Sequence, residues 1–523
     1  MKKKTNHHVV FKPYAMGQLQ FPSDLEEFIP EKHLVRVVHE TIERMELTPL
    51  LRQYKGGGTS SYHPKMMLKI LIYAYAQRIY SSRQIAKALR ENVHFMWLSA
   101  HNRPDFRTIN RFRGEIMKEV VEEVFGSVLD LLIEEGYLKL DHYFLDGTKI
   151  EANANRYSFV WAKSTRRYKE QLQTKVRDLL EEIDRVNKEE DEDYGDRDLE
   201  ELGGDEPIDS EKLEKTVEKI NERLQRHAGA GDKTLKRAVR KIEKDFLPRL
   251  RKYEAQEAIL GDRGSYSKTD EDATFMRMKE DHMGNGQLKP AYNLQLGTEN
   301  QFVVGYSLHP RPGDPGCMVP HMDQLKQRLG RLPKSLVADA AYGSEENYTY
   351  LEQEEVKAYV KYSTFDQEQR KVRRRRKRLY KQPDFHYDES RDAFLCPEER
   401  WLVFQNTRRI RSENGFLSER RIYQCESCAG CSQKGACTRA KGDRQLHVSW
   451  ELNRLQEQAA DRLCSEEGQA LRSQRPVEAE SVFGRWKHNW AFRRFLLRGQ
   501  DKVKTEIGLL AIAHDLTKMA RMV

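Results

Sequence analysis

Helical periodicity dominates the first quarter of the chain. Apolar residues recur three or four positions apart in HLVRVVHETIERMELTPLLRQY, which places Leu34, Val37, Val38 and Ile42 on one side of a helix. After the break GGGTSS, the strongly apolar segment HPKMMLKILIYAYAQRIY predicts a buried helix, and SSRQIAKALRENVHFMWLSA opens with serines that favour a helix N-terminus. The pattern therefore predicts a helical domain over residues 1–135.

A basic helix lies near the end of this domain. In RPDFRTINRFRGEIMKEVV, Asp105 is placed to cap a helix that presents Arg107, Asn110 and Arg111 in its early turns. Short helices, a tight turn and then such a helix are typical of a helix-turn-helix module that binds DNA. An ordinary helical bundle with a solvated basic face fits the same pattern, so both interpretations stay open for this segment.

Strand-like patterns follow, separated by a long charged helical stretch. YLKLDHYFLDGTKIEA predicts a β-hairpin or strand pair, and LKPAYNLQLGTENQFVVGYSLHP predicts two strands joined by a turn at GTENQ. RLPKSLVADAAYGSEENYTYLEQEE predicts a strand, an Asp and then a helix, and VKAYVKYS predicts a short strand. The order indicates a mixed α/β sheet with an antiparallel hairpin and a later parallel strand. The helices between these strands are predicted to form an antiparallel coiled-coil arm.

Two aspartates are expected to end strands of this sheet. Asp146 follows the apolar run YFL, and Asp339 follows LVA in SLVADAAYG. Carboxylates from separate strands can meet at one edge of a sheet, where buried like charges are costly unless a cation neutralises them. Oxygen ligands of this kind suit Mg²⁺, and paired metals drive in-line phosphoryl displacement. The alternative is that each Asp only caps a turn or a helix.

A third carboxylate stands near the C-terminus in RPVEAESVFGRWKHNWAFRRFLLRG. Glu480 lies in a predicted helix, with Lys487 seven residues later on the same face. Arg493 and Arg494 follow among aromatic residues, a combination that suits a phosphate-lined groove with base stacking. The alternative is an amphipathic helix whose aromatic side chains pack into the core. Glu478 is a second candidate for the third carboxylate.

Together these motifs resemble those of DDE transposases of bacterial insertion sequences, and the resemblance covers nearly the whole chain. LDGTKI resembles the family's first motif, ADAAYGS its second, and ESVFG, with a basic residue seven positions after the Glu, its third. The family's third motif also carries a Tyr and an Arg before the Glu. Ser473 and Pro476 occupy those positions here, and Arg475 stands one residue away.

The resemblance implies an α+β multidomain protein with an RNase H-like mixed α/β catalytic core. The implied segments are a helical DNA-binding domain (1–135), the first part of the core (136–160), a charged helical insertion (161–260), the core continued (261–365), a basic and Cys-rich insertion (366–450) and a C-terminal helical part of the core with the third carboxylate (451–523).

The resemblance also implies metal-assisted phosphoryl transfer by Asp146, Asp339 and Glu480, which would hold two Mg²⁺ (or Mn²⁺) ions. The enzyme would bind the terminal inverted repeats of its own element, cut the DNA and join the freed 3′-OH to target DNA, as a homodimer on paired ends. Lys487 and Arg475 would contact phosphates, and Thr148 would support the first Asp. Two alternatives are a nuclease of the same fold without strand transfer and a non-catalytic DNA-binding derivative.

Composition agrees with a nucleic-acid partner. The chain has 523 residues and a formal net charge of +9, an excess of Lys and Arg that favours polyanions. The run RKVRRRRKRLY, which contains Arg374 and Arg375, is expected to contact phosphates, although such runs are often solvated. No apolar run approaches the length of a membrane span and the N-terminus lacks a signal-peptide core, so we expect a cytoplasmic, nucleoid-associated protein.

Seven cysteines in a cytoplasmic protein are expected to be thiols or metal ligands. YQCESCAGCSQKGACTR places Cys425, Cys428, Cys431 and Cys437 at spacings that suggest a structural Zn²⁺ site, with Cys396 upstream. An iron–sulfur cluster and a thiol-rich loop without metal are the alternatives.

Overall fold

The computed structural model describes residues 24–54, 61–194, 208–226, 232–278, 287–369 and 380–522. The chain divides into two compact units. The first contains residues 1–128 and 509–523, and the second contains residues 129–508. No helix within the described ranges has the length and apolar character that a membrane crossing requires.

The first unit is helical, as the sequence predicts. The buried face of the first helix consists of Val35, Val38, Thr41 and Ile42, and every residue of the third helix from Met67 to Ala76 is buried. A π-helical segment, Phe112–Ile116, joins the sixth helix to the seventh. The helices are α1 (Leu34–Arg44), α2 (Thr48–Arg52), α3 (Pro64–Ala76), α4 (Ser82–Glu91), α5 (Val93–Leu98), α6 (Phe106–Arg111) and α7 (Met117–Glu134), which continues into the second unit.

A mixed sheet forms the centre of the second unit. Its strand order is β6–β5–β1–β7–β8, and β4 also pairs with β5. Strand β1 runs antiparallel to β5 and parallel to β7, and β7 runs parallel to β8. The strands are β1 (His142–Glu151), β4 (Thr274–Arg277), β5 (Leu288–Glu299), β6 (Phe302–His309), β7 (Ser335–Ala338) and β8 (Lys357–Val360), while β2 (Phe159–Trp161) and β3 (Ser265–Ser267) form a separate pair.

The predicted hairpin at GTENQ is confirmed, with Asn300 and Gln301 at positive φ in the turn. The predicted hairpin within residues 136–160 is wrong, because this segment contributes one long strand, β1, to the sheet. In the residues before β1, the backbone N–H groups of Lys139, Leu140 and Asp141 all donate to the buried carboxylate of Glu299 and not to the backbone of a neighbouring strand.

The charged helices after β1 share one apolar core, and the antiparallel coiled-coil arm predicted for them stays a prediction. They are α8 (Ala162–Tyr194), α9 (Ser210–Arg226), α10 (Asp232–Lys241) and α11 (Leu247–Leu260), with the π-helical segment Ile242–Phe246 between the last two. The core includes Leu172, Val176 and Ile183 from α8, Leu213, Val217 and Ile220 from α9, and Leu235, Val239, Ile242 and Phe246 from α10 and the π segment.

Further helices surround the mixed sheet. Helix α13 (Glu345–Gln353) connects β7 to β8, as predicted, and α16 and α17 pack against this half of the sheet through Leu463 and Leu471. The other helices that follow α11 are α12 (Met318–Leu329), α14 (Phe365–Gln369), α15 (Lys434–Cys437), α16 (Trp450–Cys464), α17 (Glu466–Arg475), α18 (Ser481–Gly484) and α19 (Gln500–Met519). Two more π-helical segments flank α18, at Pro476–Glu480 and Arg485–Asn489.

A second sheet occupies the region predicted only as a basic and Cys-rich insertion. Its five antiparallel strands lie in the order β13–β12–β11–β10–β9. The long hairpin of β11 and β12 reaches back to the elements around the mixed sheet. There Asn414, at the tip of the hairpin, contacts Arg311 at 2.7 Å and Glu346 at 2.9 Å. The strands are β9 (His386–Asp388), β10 (Ala393–Leu395), β11 (Trp401–Arg411), β12 (Leu417–Cys425) and β13 (Gln445–Val448).

A buried chain of hydrogen bonds crosses the core beneath the mixed sheet. The Tyr143 hydroxyl contacts Nε2 of His321 at 2.6 Å, and Oγ of Ser307 lies 2.7 Å from Nδ1 of His321 and 2.7 Å from Nε2 of His309. Burial lowers the pKa of His321 to about 3 and the pKa of His309 to about 4. Both imidazoles are therefore neutral in the folded protein at neutral pH.

The two buried histidines in this series of hydrogen bonds predict that acid destabilises the protein. The unfolded chain takes up protons below the ordinary histidine pKa of about 6.5, whereas the folded chain does not until near pH 4. The contribution of these two histidines to the free energy of unfolding should be constant above the ordinary histidine pKa of about 6.5. Below it, this contribution should fall by roughly 1.4 kcal/mol per pH unit for each histidine. The free energy of unfolding, measured by urea denaturation at several pH values in this range, should depend less steeply on pH for His309→Gln than for the wild type. The exposed His447→Gln should keep the wild-type slope, and an unchanged slope in His309→Gln would contradict the prediction.

Candidate active site

The pairing of β1 with β7 brings two predicted aspartates level with each other. Phe144 lies opposite Val337 in this parallel pair, and Asp146 and Asp339 each stand two residues further along their strands. Asp339 directly follows β7, as predicted. Asp146 does not end its strand, because β1 continues to Glu151 and Asp146 pairs with Leu296 of β5. The first carboxylate therefore projects from inside the sheet.

One guanidinium group joins these aspartates to the C-terminal glutamate. Nη2 of Arg475 lies 3.2 Å from Oδ1 of Asp146 and 3.5 Å from Oδ2 of Asp339, and its Nη1 lies 3.6 Å from Oε1 of Glu480. The exposed fractions of the three acidic side chains are 7% for Asp146, 38% for Asp339 and 56% for Glu480. The site is thus closed at Asp146 and open to solvent at Glu480.

A π-helical turn explains why Arg475 and Glu480 meet. Residues five positions apart lie about 140° apart around an α-helix, so their side chains would point away from each other. The segment Pro476–Glu480 is π-helical, and this geometry bonds residue i to residue i+5, which brings such pairs to the same side. Pro476 also lacks the N–H that an ordinary α-helical turn would use. The sequence pattern gives no sign of this turn.

Backbone N–H groups orient both aspartates. Oδ1 of Asp146 accepts from the Gly147 N–H at 2.9 Å, and Oδ1 of Asp339 accepts from the Ala341 N–H at 2.9 Å. Asp339 thereby caps the short 3₁₀ helix Ala340–Tyr342, so the capping interpretation is correct for this residue. Its other oxygen, Oδ2, faces Arg475, which means that capping and membership of the carboxylate cluster are compatible.

A buried polar network behind the aspartates was missed from the sequence. Oδ1 of Asp314 accepts from the side-chain amides of Asn293 at 2.8 Å and Gln295 at 3.1 Å, and the Tyr342 hydroxyl donates to Oε1 of Gln295. Burial raises the pKa of Tyr342, and the charges of Asp314, Asp146 and Asp339 raise it further. The signal that could have revealed this network is the pair of polar residues Asn293 and Gln295, which alternate on one face of the otherwise apolar strand β5.

This network also explains the glycine after the first aspartate. A Cβ atom at Gly147 would lie 2.6 Å from Nε2 of Gln295 and 2.7 Å from Oδ1 of Asp314, both closer than van der Waals contact. The two side chains are hydrogen-bonded to each other, so neither can move without losing a partner. Glycine at this position therefore lets β1 approach the network that supports the site.

The structure separates the two candidates for the third carboxylate. Glu478 is buried, and its Oε2 accepts from the backbone N–H of Gln301 at 2.6 Å in the turn between β5 and β6. Glu480 is exposed and faces Arg475. The geometry therefore places Glu480, and not Glu478, in the cluster.

The basic residues after Glu480 have structural contacts. Lys487 is buried within the π-helical segment Arg485–Asn489, and its carbonyl accepts from Nε of Arg493 at 3.0 Å. The Arg494 guanidinium donates to the carbonyls of Ala152 at 3.2 Å and Ala154 at 3.1 Å, just beyond β1. Arg494 thus fastens the C-terminal segment to the end of β1, and a DNA contact for either arginine stays a prediction.

The predicted DNA-reading helix forms in the first unit. Oδ1 of Asp105 accepts from the Thr108 N–H at 2.7 Å and caps α6, as predicted. Arg107, Asn110 and Arg111 are exposed on this helix. The polybasic run with Arg374 and Arg375 lies outside the described residues.

Oxygen ligands for a hard cation are present at the carboxylate cluster. Across the described ranges, no three His, Cys, Asp or Glu side chains are already arranged to hold a metal ion. The cluster instead surrounds the positive charge of Arg475, which shows that three carboxylates from distant parts of the chain can converge on one cation. Carboxylate oxygens suit Mg²⁺ and Mn²⁺, so the donor set fits the metals that the sequence implies.

Two segments of the chain match known protein families. Residues 395–520 match the family described as transposase DDE domain, and residues 23–115 match the transposase domain family DUF772. The first match includes Glu480 and Arg475 but neither Asp146 nor Asp339, and the second includes α6. No curated protein and no solved structure gave a match to the chain.

The shared guanidinium predicts a specific effect of Arg475→Gln. Without this positive charge the carboxylates repel one another, which should lower the free energy of unfolding at neutral pH by about 1–3 kcal/mol. Mg²⁺ should raise the melting temperature of the variant more than that of the wild type.

The matched control is Arg472→Gln on the same helix, because Arg472 stacks over Phe365 and contacts none of the three carboxylates. Thermal unfolding at neutral pH, with and without Mg²⁺, tests both variants. Equal losses of stability and equal responses to Mg²⁺ in Arg475→Gln and Arg472→Gln would contradict the role assigned to Arg475.

Proposed function

We propose that this DDE-type transposase of an insertion sequence binds the terminal inverted repeats of its own element, cuts the DNA there and joins the freed 3′-OH ends to target DNA, acting as a homodimer on paired ends. The observation that carries the proposal is the convergence of Asp146, Asp339 and Glu480 on the single guanidinium of Arg475. These residues come from a central strand, the end of its parallel neighbour and a C-terminal helix.

The strand order supports an RNase H-like core. Taking only the sheet's main strands in chain order, β1, β5 and β6 form an antiparallel meander, and β7 and β8 add in parallel on the other side of β1. In such a sheet a site forms where β1 and β7 lie side by side. Asp146 and Asp339 stand at this place, and the helix that carries Glu480 follows helices packed on β7 and β8.

The chain's own residues would prepare the site for metal-dependent chemistry. Asp146, Asp339 and Glu480 offer six carboxylate oxygens, which could be shared between the two Mg²⁺ or Mn²⁺ ions that the resemblance implies. Bound divalent cations would supply an activated water and stabilise the charge on the leaving 3′ oxygen. Gly147 and Ala341 hold one oxygen of each aspartate through backbone N–H groups, so little reorientation is needed.

Arg475 would change partners during this process. Its Nε is buried and makes no hydrogen bond within the described part of the chain, while its two terminal nitrogens contact the carboxylates. Once divalent cations neutralise the carboxylates, the guanidinium can pair with a DNA phosphate, for which its planar set of donors is suited. Arg475 would thus keep the empty cluster neutral and then position the substrate.

The carboxylates provide a direct test with an internal control. Asp146→Asn, Asp339→Asn and Glu480→Gln should each lower cleavage of transposon-end DNA by at least about a hundredfold, because metal binding supplies several kcal/mol of transition-state stabilisation. DNA binding should be largely kept, since it depends mainly on Lys and Arg. Glu478→Gln should cleave at nearly the wild-type rate and lose about 1–2 kcal/mol of stability. Rapid cleavage by Glu480→Gln would remove Glu480 from the three carboxylates. Lost cleavage in a folded Glu478→Gln would assign the third carboxylate to Glu478.

A second assay separates cutting from joining. Pre-cut DNA ends with a free 3′-OH bypass the first step, so the wild type should join them to a target plasmid in Mg²⁺. Cleavage of intact ends without joining of pre-cut ends would identify a nuclease rather than a transposase.

The first unit is proposed to recognise the element's ends through α6. Arg113 on the adjoining π segment is buried, and it donates to the Tyr80 carbonyl at 2.6 Å and to Oδ1 of Asn110 at 3.1 Å. These contacts fix the Asn110 side chain beside the exposed Arg107 and Arg111. Arg and Asn are the side chains that most often read guanine and adenine edges in the major groove.

Substitution of α6 residues should therefore reduce specificity. Arg107→Gln and Arg111→Gln should each weaken binding to the terminal repeat by about 1–3 kcal/mol if the residue contacts a base, with a smaller effect on random DNA. Arg52→Gln, an exposed change on α2, serves as the control. Competition binding at a fixed salt concentration gives the ratio of specific to random affinity. A ratio that is unchanged in both α6 variants would remove this helix from sequence recognition.

A further inference from the structure

Five cysteines surround one small cavity at the edge of the second sheet. The cavity is lined by Cys396, Cys425, Cys428, Cys431 and Cys437, and none of them forms a disulfide. They come from separate turns that the fold brings together, since Cys396 follows β10 and the other four stand at the end of β12 or after it. A set of thiols gathered from distant positions requires a physical explanation.

Cys425 is distinguished from the other four by the hydrogen bond that its sulfur makes. It is the last residue of β12 and, like Cys428, is buried in the apolar core of the sheet with Phe394 and Tyr423. Its Sγ donates to the carbonyl of Ser427 at 3.5 Å, whereas Sγ of Cys396 and Sγ of Cys428 each accept from a backbone N–H. Cys425 is therefore a core thiol that keeps its own hydrogen-bond acceptor.

The remaining four thiols line the same cavity, and Arg444 lines it with them. Cys437 ends the short helix α15, and Cys431 stands before this helix in the same loop. Four thiols and a guanidinium thus share one small space.

Backbone contacts orient two of these sulfurs. The Arg400 N–H donates to Sγ of Cys396 at 3.2 Å, and the Arg444 N–H donates to Sγ of Cys428 at 3.3 Å. Hydrogen bonds to sulfur stabilise the thiolate form that metals require. The Arg400 side chain also donates to the carbonyls of Ser427 at 2.6 Å and Ala429 at 3.0 Å, on either side of Cys428. Arg400 therefore holds the Cys396 turn against the Cys428 turn.

We propose that Cys396, Cys428, Cys431 and Cys437 bind a structural Zn²⁺ ion in a tetrahedral site. Zinc favours four thiolates that come in closely spaced pairs, as Cys428 and Cys431 do. Among the described residues the sulfurs are not yet arranged around one point, so binding of the ion would have to draw them together. This set keeps three of the cysteines predicted from the sequence and replaces Cys425 with Cys396. The proposal does not depend on the DNA chemistry.

The small size of the sheet gives the ion a role. The apolar core of the second sheet consists of few side chains, including Phe385, Phe394, Leu402 and Tyr423. Small cores of this kind commonly need a metal or another cross-link to be stable. A zinc ion would join the turn after β10 to the loop between β12 and β13, which together form one end of the sheet.

The metal content of the full-length protein tests the proposal. Protein purified under reducing conditions, with zinc supplied during expression and no chelator, should contain about one zinc ion per chain by elemental analysis. Cys396→Ser, Cys428→Ser, Cys431→Ser and Cys437→Ser should each lose most of this zinc. Cys425→Ser, in the same cavity, and the exposed Cys464→Ser should retain it.

A second measurement guards against loss of metal through misfolding. The wild type should bind Co²⁺, used as a probe, with the visible bands of tetrahedral thiolate coordination, and Cys425→Ser should give the same spectrum. Wild-type protein without zinc that also fails to bind Co²⁺ would overturn the site, and iron in place of zinc would overturn the choice of metal. Retention of zinc by Cys396→Ser together with its loss from a folded Cys425→Ser would overturn the ligand set.

Discussion

Repulsion among three carboxylates is the constraint on which the architecture of the second unit depends. Asp146, Asp339 and Glu480 are far apart in sequence, and bringing their like charges together beside the buried Asp146 is costly unless a cation lies between them. Arg475 provides that cation, at 3.2 Å from the most buried of the three. The parallel pairing of β1 with β7 and the packing of Leu471 against the sheet bring the four groups to one place.

The helix that carries Glu480 meets this constraint by departing from α-helical geometry. An unbroken α-helix would point Arg475 and Glu480 in different directions, and the π turn at Pro476 aligns them. Lys487 lies inside a second π segment, Arg485–Asn489, and is buried there, whereas Glu480 is exposed, so the predicted common face of Glu480 and Lys487 is wrong. The polar network of Asn293, Gln295 and Asp314 completes the support from behind.

Local patterns predicted the parts of this site that depend on local physics. Alternating apolar residues predicted β5, β6 and β7, and Asp339 stands where β7 ends, because strand termini and turn residues are encoded over a few positions. The length and pairing of β1 could not be predicted, since they depend on ladders with β5 and β7, which are distant in sequence. The π turns, Asp314 and the place of Cys396 depend in the same way on contacts between distant residues. Apolar periodicity carries no information about such contacts.

The β11–β12 hairpin has a mechanical consequence. One end of the hairpin lies at the cysteine cavity. At the other end, Asn414 is held by Arg311 and Glu346, and Arg311 is close in sequence to Asp314 behind the carboxylates. Strand β11 has 11 residues at about 3.4 Å each, so the hairpin spans roughly 37 Å. Lengthening both strands by two residues would keep the side-chain alternation and move the cavity about 7 Å further away. The spacing between the cysteine-lined end and the end near the carboxylate cluster is thus set in discrete steps by strand length, as it could not be by a flexible linker.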